Sequence, residues 1–143
     1  MFEFHGWASL QYHTHGTSSV LQDRCWQQVA DYVATIPNDH VQLQRYNGCD
    51  SLHVAGQHNH RSKYVIELFQ WIANHAPGSY GILYIRDDED HSRGHDYSNC
   101  FRVWRLCRGQ LNELDDPFLS PAIPTIEDSY DESRGDHPSC HTT

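Results

Sequence analysis

Residues 41–54, VQLQRYNGCDSLHV, form the clearest local signal in the chain and predict a β-hairpin. Asn47 and Gly48 are the favoured central pair of a type I′ turn, because both residue types tolerate positive φ. A two-residue turn pairs Tyr46 with Cys49, and this pairing fixes the register of the two strands. The predicted strands cover residues 41–46 and 49–56.

The register predicts which side chains face each other across the hairpin. Arg45 lies opposite Asp50, and opposite charges at such positions stabilise a sheet. The apolar pairs on the same face are Val41 with Val54 and Leu43 with Leu52, and the polar pairs on the other face are Gln42 with His53 and Gln44 with Ser51. Turn chemistry and apolar pattern therefore agree on one hairpin.

Five further segments on either side of the hairpin show the periodicity of helices or strands. Residues 2–13 alternate as a strand does, and residues 20–36 and 62–75 have the three- and four-residue apolar spacing of helices. Residues 80–85 and 100–108 predict two more strands, of which the first is apolar on both faces, as a central strand is.

The two predicted helices differ in how clearly they begin. Ser18 or Ser19 can cap the first helix by accepting a hydrogen bond from a free backbone N–H. The buried stripe of this helix is predicted to be Leu21, Cys25, Val29, Tyr32, Val33 and Ile36. The buried stripe of the second helix is predicted to be Val65, Leu68, Phe69 and Ile72.

The element order β-α-β-β-α-β-β predicts an α+β fold. In a two-layer sandwich of this kind, two helices cover one face of a mainly antiparallel sheet. The other face, with His5 and Trp7 on the first strand, is left for a C-terminal extension or for a partner.

The C-terminal extension is predicted to be ordered but irregular. From Gln110 onward, Pro117, Pro121 and Pro124 argue against helix or strand, while Phe118 and Leu119 are expected to be buried against the body. One domain is then predicted for residues 1–128, and residues 129–143 are expected to form a mobile acidic and polar tail.

Charge and hydropathy exclude several classes of function. The chain has 143 residues, 19 acidic and 10 basic side chains, and a formal net charge of −9 with histidine neutral. No apolar run approaches the roughly 20 residues of a membrane helix, and the N-terminal residues do not resemble a secretory signal, so a cytoplasmic location is expected. The negative charge argues against direct binding of nucleic acid or an anionic membrane and favours a basic partner.

Cysteine usage gives no sign of a disulfide framework or a catalytic thiol. The five cysteines include no CxxC pair, which is typical of free thiols in a reducing compartment. Cys25, Cys49, Cys100 and Cys107 are interpreted as small core residues. The sequence also lacks GxSxG, P-loop and GxGxxG motifs, so we expect no catalytic residue and no cofactor.

Twelve histidines include three local pairs that could chelate a metal ion. They are His13 with His15, His58 with His60, and His91 with His95. Imidazole is an ordinary zinc ligand, but all three pairs lie in or beside predicted loops and none belongs to an HExxH motif. Solvated loop histidines are the preferred interpretation, and a metal-dependent hydrolase remains an alternative function.

Two acidic segments are the better functional candidates, because residues 87–136 contain 13 of the 19 acidic side chains. The hypothesis is a partner-binding surface formed by Asp87, Asp88, Glu89, Asp90, Glu113, Asp115 and Asp116, with Trp7 and His5 as the alternative surface. Two other interpretations stay open. The acids could form a solubilising surface, or they could pair internally with Arg86, Arg102, Arg105 or Arg108.

Four motifs occur in a characteristic order along the chain. They are Phe4-His5-Gly6-Trp7, residues 81–89 (GILYIRDDE), Phe101-Arg102-Val103-Trp104 with Arg108-Gly109, and residues 116–121 (DPFLSP). In these motifs the sequence resembles the immunity protein 7 family of bacterial polymorphic-toxin systems, over residues 1 to about 128.

The resemblance implies an α+β protein that binds a cognate toxin and inhibits it stoichiometrically, without catalysis. It transfers no contact residue to this sequence. The acidic charge adds the expectation of a basic toxin domain, for which a nuclease is one candidate. A general acidic interaction module without a toxin is a further alternative.

Overall fold

The computed structural model describes residues 1–37, 40–91, 94–121 and 133. These residues form eight elements in chain order. They are β1 (Phe2–Leu10), α1 (Ser19–Val33), β2 (Val41–Tyr46), β3 (Cys49–His58), α2 (Tyr64–His75), β4 (Tyr80–Asp87), β5 (Arg102–Cys107) and β6 (Gln110–Asp115).

The strands form one antiparallel sheet in the order β2-β3-β1-β4-β5-β6. β1 lies inside the sheet, since it pairs with β3 on one side and with β4 on the other. The predicted α+β class, with two helices against a mainly antiparallel sheet, is confirmed. The described part of the sheet has one strand more than predicted, which is β6.

The predicted hairpin register is confirmed at every position from Val41 opposite Val54 to Tyr46 opposite Cys49. Arg45 Nε lies 2.7 Å from Asp50 Oδ1, so the predicted charge pair forms. The predicted turn type is wrong. Gly48 has a φ of 77°, but Asn47 does not have the positive φ that a type I′ turn requires at its first central residue.

Arg108 and Gly109, which link β5 to β6, have the pair of positive φ values of a type I′ turn, at 51° and 74°. β6 follows directly, with Gln110 opposite Cys107 and Leu111 opposite Leu106. The prediction of irregular chain from Gln110 onward is therefore wrong. Pro117 restricts only itself and the residue before it, and β6 has already ended at Asp115.

α1 begins where its cap predicted and ends three residues early. Ser18 Oγ accepts a hydrogen bond from Leu21 N at 3.2 Å, but the helix stops at Val33. Leu21 was expected in the buried stripe and is exposed. Gln22 faces inward in its place, because its amide donates to the Leu10 carbonyl at 2.9 Å and to Asp50 Oδ2 at 2.8 Å. No described helix has the length and apolar character to cross a membrane.

The core lies between the helices and one face of the sheet. All four predicted residues of the α2 stripe are buried, and Ile72 has no exposed surface. Gly6 on β1 is needed for close packing, since a Cβ there would lie 2.9 Å from Leu83 Cδ1 and 3.1 Å from Phe69 Cζ. Trp71, at the edge of the stripe, stacks on Tyr32 with ring centroids 4.5 Å apart.

The opposite face of the sheet is only partly covered, which differs from two expectations. β4 is not buried on both faces, because its side chains alternate and Tyr80 is 48% exposed. Phe118 and Leu119 were expected to be buried and are 68% and 45% exposed. Pro124 and the predicted tail, residues 129–143, lie outside the described range except for Ser133.

Candidate functional site

The topology brings the two acidic segments to one end of the sheet. β4 and β6 both run antiparallel to β5, so their C-terminal ends lie together. Arg102 marks this end, because it is the partner of Ile85 on one side and of Asp115 on the other. The two segments are distant in the sequence, so their proximity could be predicted only from the order of the strands.

Two carboxylates of the predicted surface face the interior. Asp87 and Asp90 are each 7% exposed. Asp87 Oδ2 lies 3.3 Å from Arg61 Nη1, and Asp87 Oδ1 accepts the backbone N–H of Glu89 at 3.0 Å. These groups position the loop after β4 and are not available to a partner.

Arg102 neutralises part of the charge contributed by β6. Its Nε donates to Glu113 Oε1 at 2.9 Å, and its Nη1 contacts Asp115 Oδ1. The guanidinium also lies over the Tyr97 ring, 4.3 Å from the centroid. Burial opposes the charge on Arg102, but the two carboxylates outweigh it and raise the pKa of the guanidinium above its ordinary value.

Four carboxylates remain at the surface and are called the acidic end: Asp88, Glu89, Asp115 and Asp116. Asp88 Oδ1 lies 2.6 Å from the amino group of Met1, and this hydrogen bond lowers the pKa of the Asp88 carboxyl. Glu89 Oε1 lies 2.8 Å from His60 Nδ1. Asp116 accepts the backbone N–H groups of Phe118 and Leu119 at 3.3 Å each. The acidic end is smaller than the predicted surface.

The second candidate surface is the sheet face opposite the helices. Trp7 lies at its centre and is 42% exposed, with His53 of β3 on one side and Ile82 of β4 on the other. The Trp7 ring meets the Tyr80 ring edge to face, with centroids 6.1 Å apart at 88°. We call this surface the open face and define it by His5, Trp7, His53, Ala55, Tyr80 and Arg105.

The open face has a depression and a partly covered side. The depression is lined by His5, Trp7, Gln42, His53, Ala55 and Tyr84, among other residues. Phe101, which precedes β5, covers the other side, with its ring 6.3 Å from His5 and 5.9 Å from Tyr84. His5, which was predicted as part of this alternative surface, has its Nε2 atom 2.7 Å from Glu3 Oε2. The imidazole is therefore oriented by a residue of its own strand.

The six candidate metal ligands do not converge in the structure. Within residues 1–37, 40–91 and 94–121, no three His, Cys, Asp or Glu side chains are grouped to hold a metal ion. His58 is hydrogen-bonded to the Tyr64 hydroxyl at 3.2 Å, and His91 lies 3.0 Å from Asp96. His95 stacks on Tyr97, and the rings of His13 and His15 are 6.3 Å apart.

The cysteines occupy three different environments. Cys25 is buried, and burial, followed by the charge of Asp50, raises the pKa of its thiol. Cys49 and Cys107 are exposed and Cys100 is half-buried, so the prediction of four core cysteines is wrong for these three. Cys49 on β3 and Cys107 on β5 are strand positions whose side chains point to solvent. The apolar pattern of the sequence did not predict which face of each strand is exposed.

Tyr80, Ala55 and Arg105 were not singled out from the sequence as surface residues. The signal that could have found them is the order of the strands, in which β3 and β4 flank β1 and β5 pairs with β4. Trp7 lies opposite Ile82, Ile82 lies opposite Arg105, and His5 lies opposite Ala55, so alternation puts Tyr80, Arg105 and Ala55 on one face. That placement requires the order of strands, which the sequence did not supply.

Comparison with known proteins places the chain in one class of protein, the immunity proteins. The chain belongs to the immunity protein 7 family, whose sequence model matches residues 1–128. No curated protein and no solved structure matches the chain.

Proposed function

We propose that this protein neutralises a cognate toxin domain by stoichiometric protein–protein binding. The observation that carries the proposal is the family match over residues 1–128, which includes every described helix and strand. Immunity proteins protect against a toxin, and occupation of the toxin's surface is a way to do so that requires no catalysis.

The acidic end supports a toxin with a basic contact surface. Asp115 is almost fully exposed, and Asp88 and Glu89 are exposed for about 37% and 58% of their side-chain surface. Toxins that act on nucleic acid carry positive charge because they must attract phosphates. Carboxylates at one end of the sheet would then accelerate the encounter by electrostatic steering.

The test uses the purified full chain and, as the probe, each toxin-like domain encoded by genes adjacent to its own. The triple variant Asp88→Asn, Glu89→Gln, Asp115→Asn removes three charges from the acidic end. The matched control, Asp23→Asn, Asp31→Asn, Glu67→Gln, removes three exposed charges from the helices and leaves the same net charge. Asp87 and Asp90 are left unchanged because they are buried.

We expect the acidic-end variant to associate with the toxin domain about ten-fold more slowly at low salt, and the helix control to change less than about three-fold. The wild-type association rate should also fall with rising salt, because the Debye length shrinks to about 8 Å at physiological ionic strength. Equal rates for the two variants would contradict the role of the acidic end. Absence of any wild-type complex would contradict the proposed function itself.

A further inference from the structure

We infer that the toxin docks on the open face, inserting an apolar side chain into the depression over Ala55 and presenting a carboxylate or carbonyl oxygen to Arg105. This inference rests on the proposed function and names the surface that holds the toxin after the first encounter. The acidic end then governs how fast the complex forms, and the open face governs how long it lasts.

The composition of the open face is that of an interface centre. Trp, Tyr and Arg dominate the residues that contribute most to protein–protein affinity, and charged residues are depleted at such centres. Trp7 and Tyr80 are both large and exposed, and their edge-to-face contact fixes each ring before binding. Rings that are already ordered lose little conformational entropy when a partner covers them.

The depression over Ala55 is open to solvent and wide enough to receive a side chain of a partner. Ala55 is exposed and small, and it lies beside His5 of β1 in the sheet register. Larger side chains line the same depression, including Trp7, His53 and Tyr84. The lining combines the rings of Trp7 and Tyr84 and the Ala55 methyl group with imidazoles and Gln42, and more of its surface is apolar than polar. It therefore favours an apolar or aromatic side chain, because burial of apolar surface is stabilising.

Charge distinguishes the open face from the rest of an acidic protein. The strand positions on this side carry one carboxylate, Glu3, which lies 2.7 Å from His5 and opposite Arg86 in the register. Arg105 is exposed, and no ion pair to it occurs among the residues that the structure describes. A partner group with a negative charge or a free acceptor oxygen complements Arg105, whereas a uniformly basic surface would be repelled there.

The size of the open face is compatible with a toxin as its partner, and the net charge of the chain argues against a second copy. Six strands about 4.8 Å apart and about 20 Å long give a footprint on the order of 500 Å², with side chains adding further area. A standard interface covers about 800 Å² per partner, so the open face and its rim supply most of it. Two copies of a chain with net charge −9 would repel each other on approach.

The experiment measures dissociation of the full chain from the toxin domain with which it forms a complex in the test above. Trp7→Ala removes the central ring, and Ala55→Trp fills the depression at an exposed position without removing a contact. Arg105→Glu reverses the charge on the open face, and Arg24→Glu makes the same change on the exposed surface of α1 as its matched control. Circular dichroism and thermal melting verify that each variant is folded.

We expect Trp7→Ala, Ala55→Trp and Arg105→Glu each to speed dissociation about ten-fold or more, and Arg24→Glu to stay within about two-fold of wild type. Wild-type dissociation in Ala55→Trp, or equal effects of the two Arg→Glu changes, would overturn the inference. If the acidic-end variant loses binding while the open-face variants keep it, the proposed function stands and this inference falls. A wild-type dimer that Trp7→Ala converts to monomer would also overturn it, because the face would then be a self-interface.

Discussion

Ile72 shows how far one residue can be placed by periodicity alone. The apolar spacing of α2 predicted that Ile72 would be buried and Trp71 would lie at the edge, and both placements are confirmed. Ile72→Ala should lower the free energy of unfolding by about 2–5 kcal/mol, because it leaves a cavity in a fully buried site. Urea denaturation measures this loss. Asn74→Ala, at an exposed position of the same helix, should change it by less than about 0.5 kcal/mol.

Cys25 should be the least reactive thiol among the described cysteines. Its raised pKa lowers the thiolate fraction at any pH below that pKa, and its burial limits access of a reagent. Labelling with a maleimide at pH 7.5, followed by peptide mass spectrometry, should therefore modify Cys49 and Cys107 well before Cys25. Denaturant should remove the difference. Equal labelling rates in the folded protein would contradict the placement of Cys25 in the core.

The same raised pKa links folding to pH in one direction. The folded thiol keeps its proton to higher pH than the unfolded thiol, so this group favours the folded state below the ordinary thiol range. That contribution is lost as pH rises through the folded-state pKa.

Contacts between residues close in the sequence were predicted correctly. The orientation of a side chain was predicted wrongly where residues distant in the sequence determine it. Arg45 and Asp50 are five residues apart and their contact followed from the turn. The inward position of Gln22 depends on the Leu10 carbonyl and the Asp50 carboxylate, which the fold brings to α1 from two strands. Helical periodicity contains no information about such acceptors, and it favoured the apolar Leu21 instead.

At the scale of elements, the cap of α1 offers a direct test. Ser18→Ala removes the hydroxyl that accepts the Leu21 N–H, and should lower the free energy of unfolding by about 0.5–2 kcal/mol. Ser19→Ala, one residue further on and without a capping bond, is the control and should have a smaller effect. A smaller loss for Ser18→Ala than for Ser19→Ala would mean that the helix begins one residue later.

The register of β2 and β3 was predicted correctly although the predicted type of turn between them was wrong. A two-residue connection sets the pairing of β2 and β3 whatever its φ values are, so the register was correct although Asn47 does not have positive φ. β6 was missed because nearby prolines outweighed its alternation. The sequence signal for β6 is the Arg108-Gly109 turn, which connects β5 to β6 and places Leu111 opposite Leu106.

At the scale of the whole molecule, the fold brings the two predicted acidic segments together, and their carboxylates differ in exposure in a way that the sequence did not predict. The sequence identified residues 87–90 and 113–116, and the fold puts both at one end of the sheet. Which carboxylates reach solvent depends on Arg61 and Arg102, whose positions come from other elements. Those long-range pairs are decided by packing, and no local pattern encodes them.

Chelation should leave the whole molecule unchanged if the histidines are solvated as predicted. We expect 5 mM EDTA, on the order of a usual chelating excess, to leave the melting temperature the same, because a structural zinc would contribute folding free energy directly. Differential scanning fluorimetry measures the shift. A clear drop that added zinc reverses would contradict the prediction and favour the metal-dependent hydrolase.

The central claim is that protection results from stoichiometric occupation of the toxin, and one titration tests it most directly. A fixed amount of the toxin domain is mixed with increasing amounts of this protein, and residual toxin activity is measured after short and long incubation. We predict a linear fall to a plateau at a fixed molar ratio, with the same end point at both times, because each inhibitor molecule is consumed by binding. An end point that moves to ever smaller amounts of protein with longer incubation would show turnover and contradict the account.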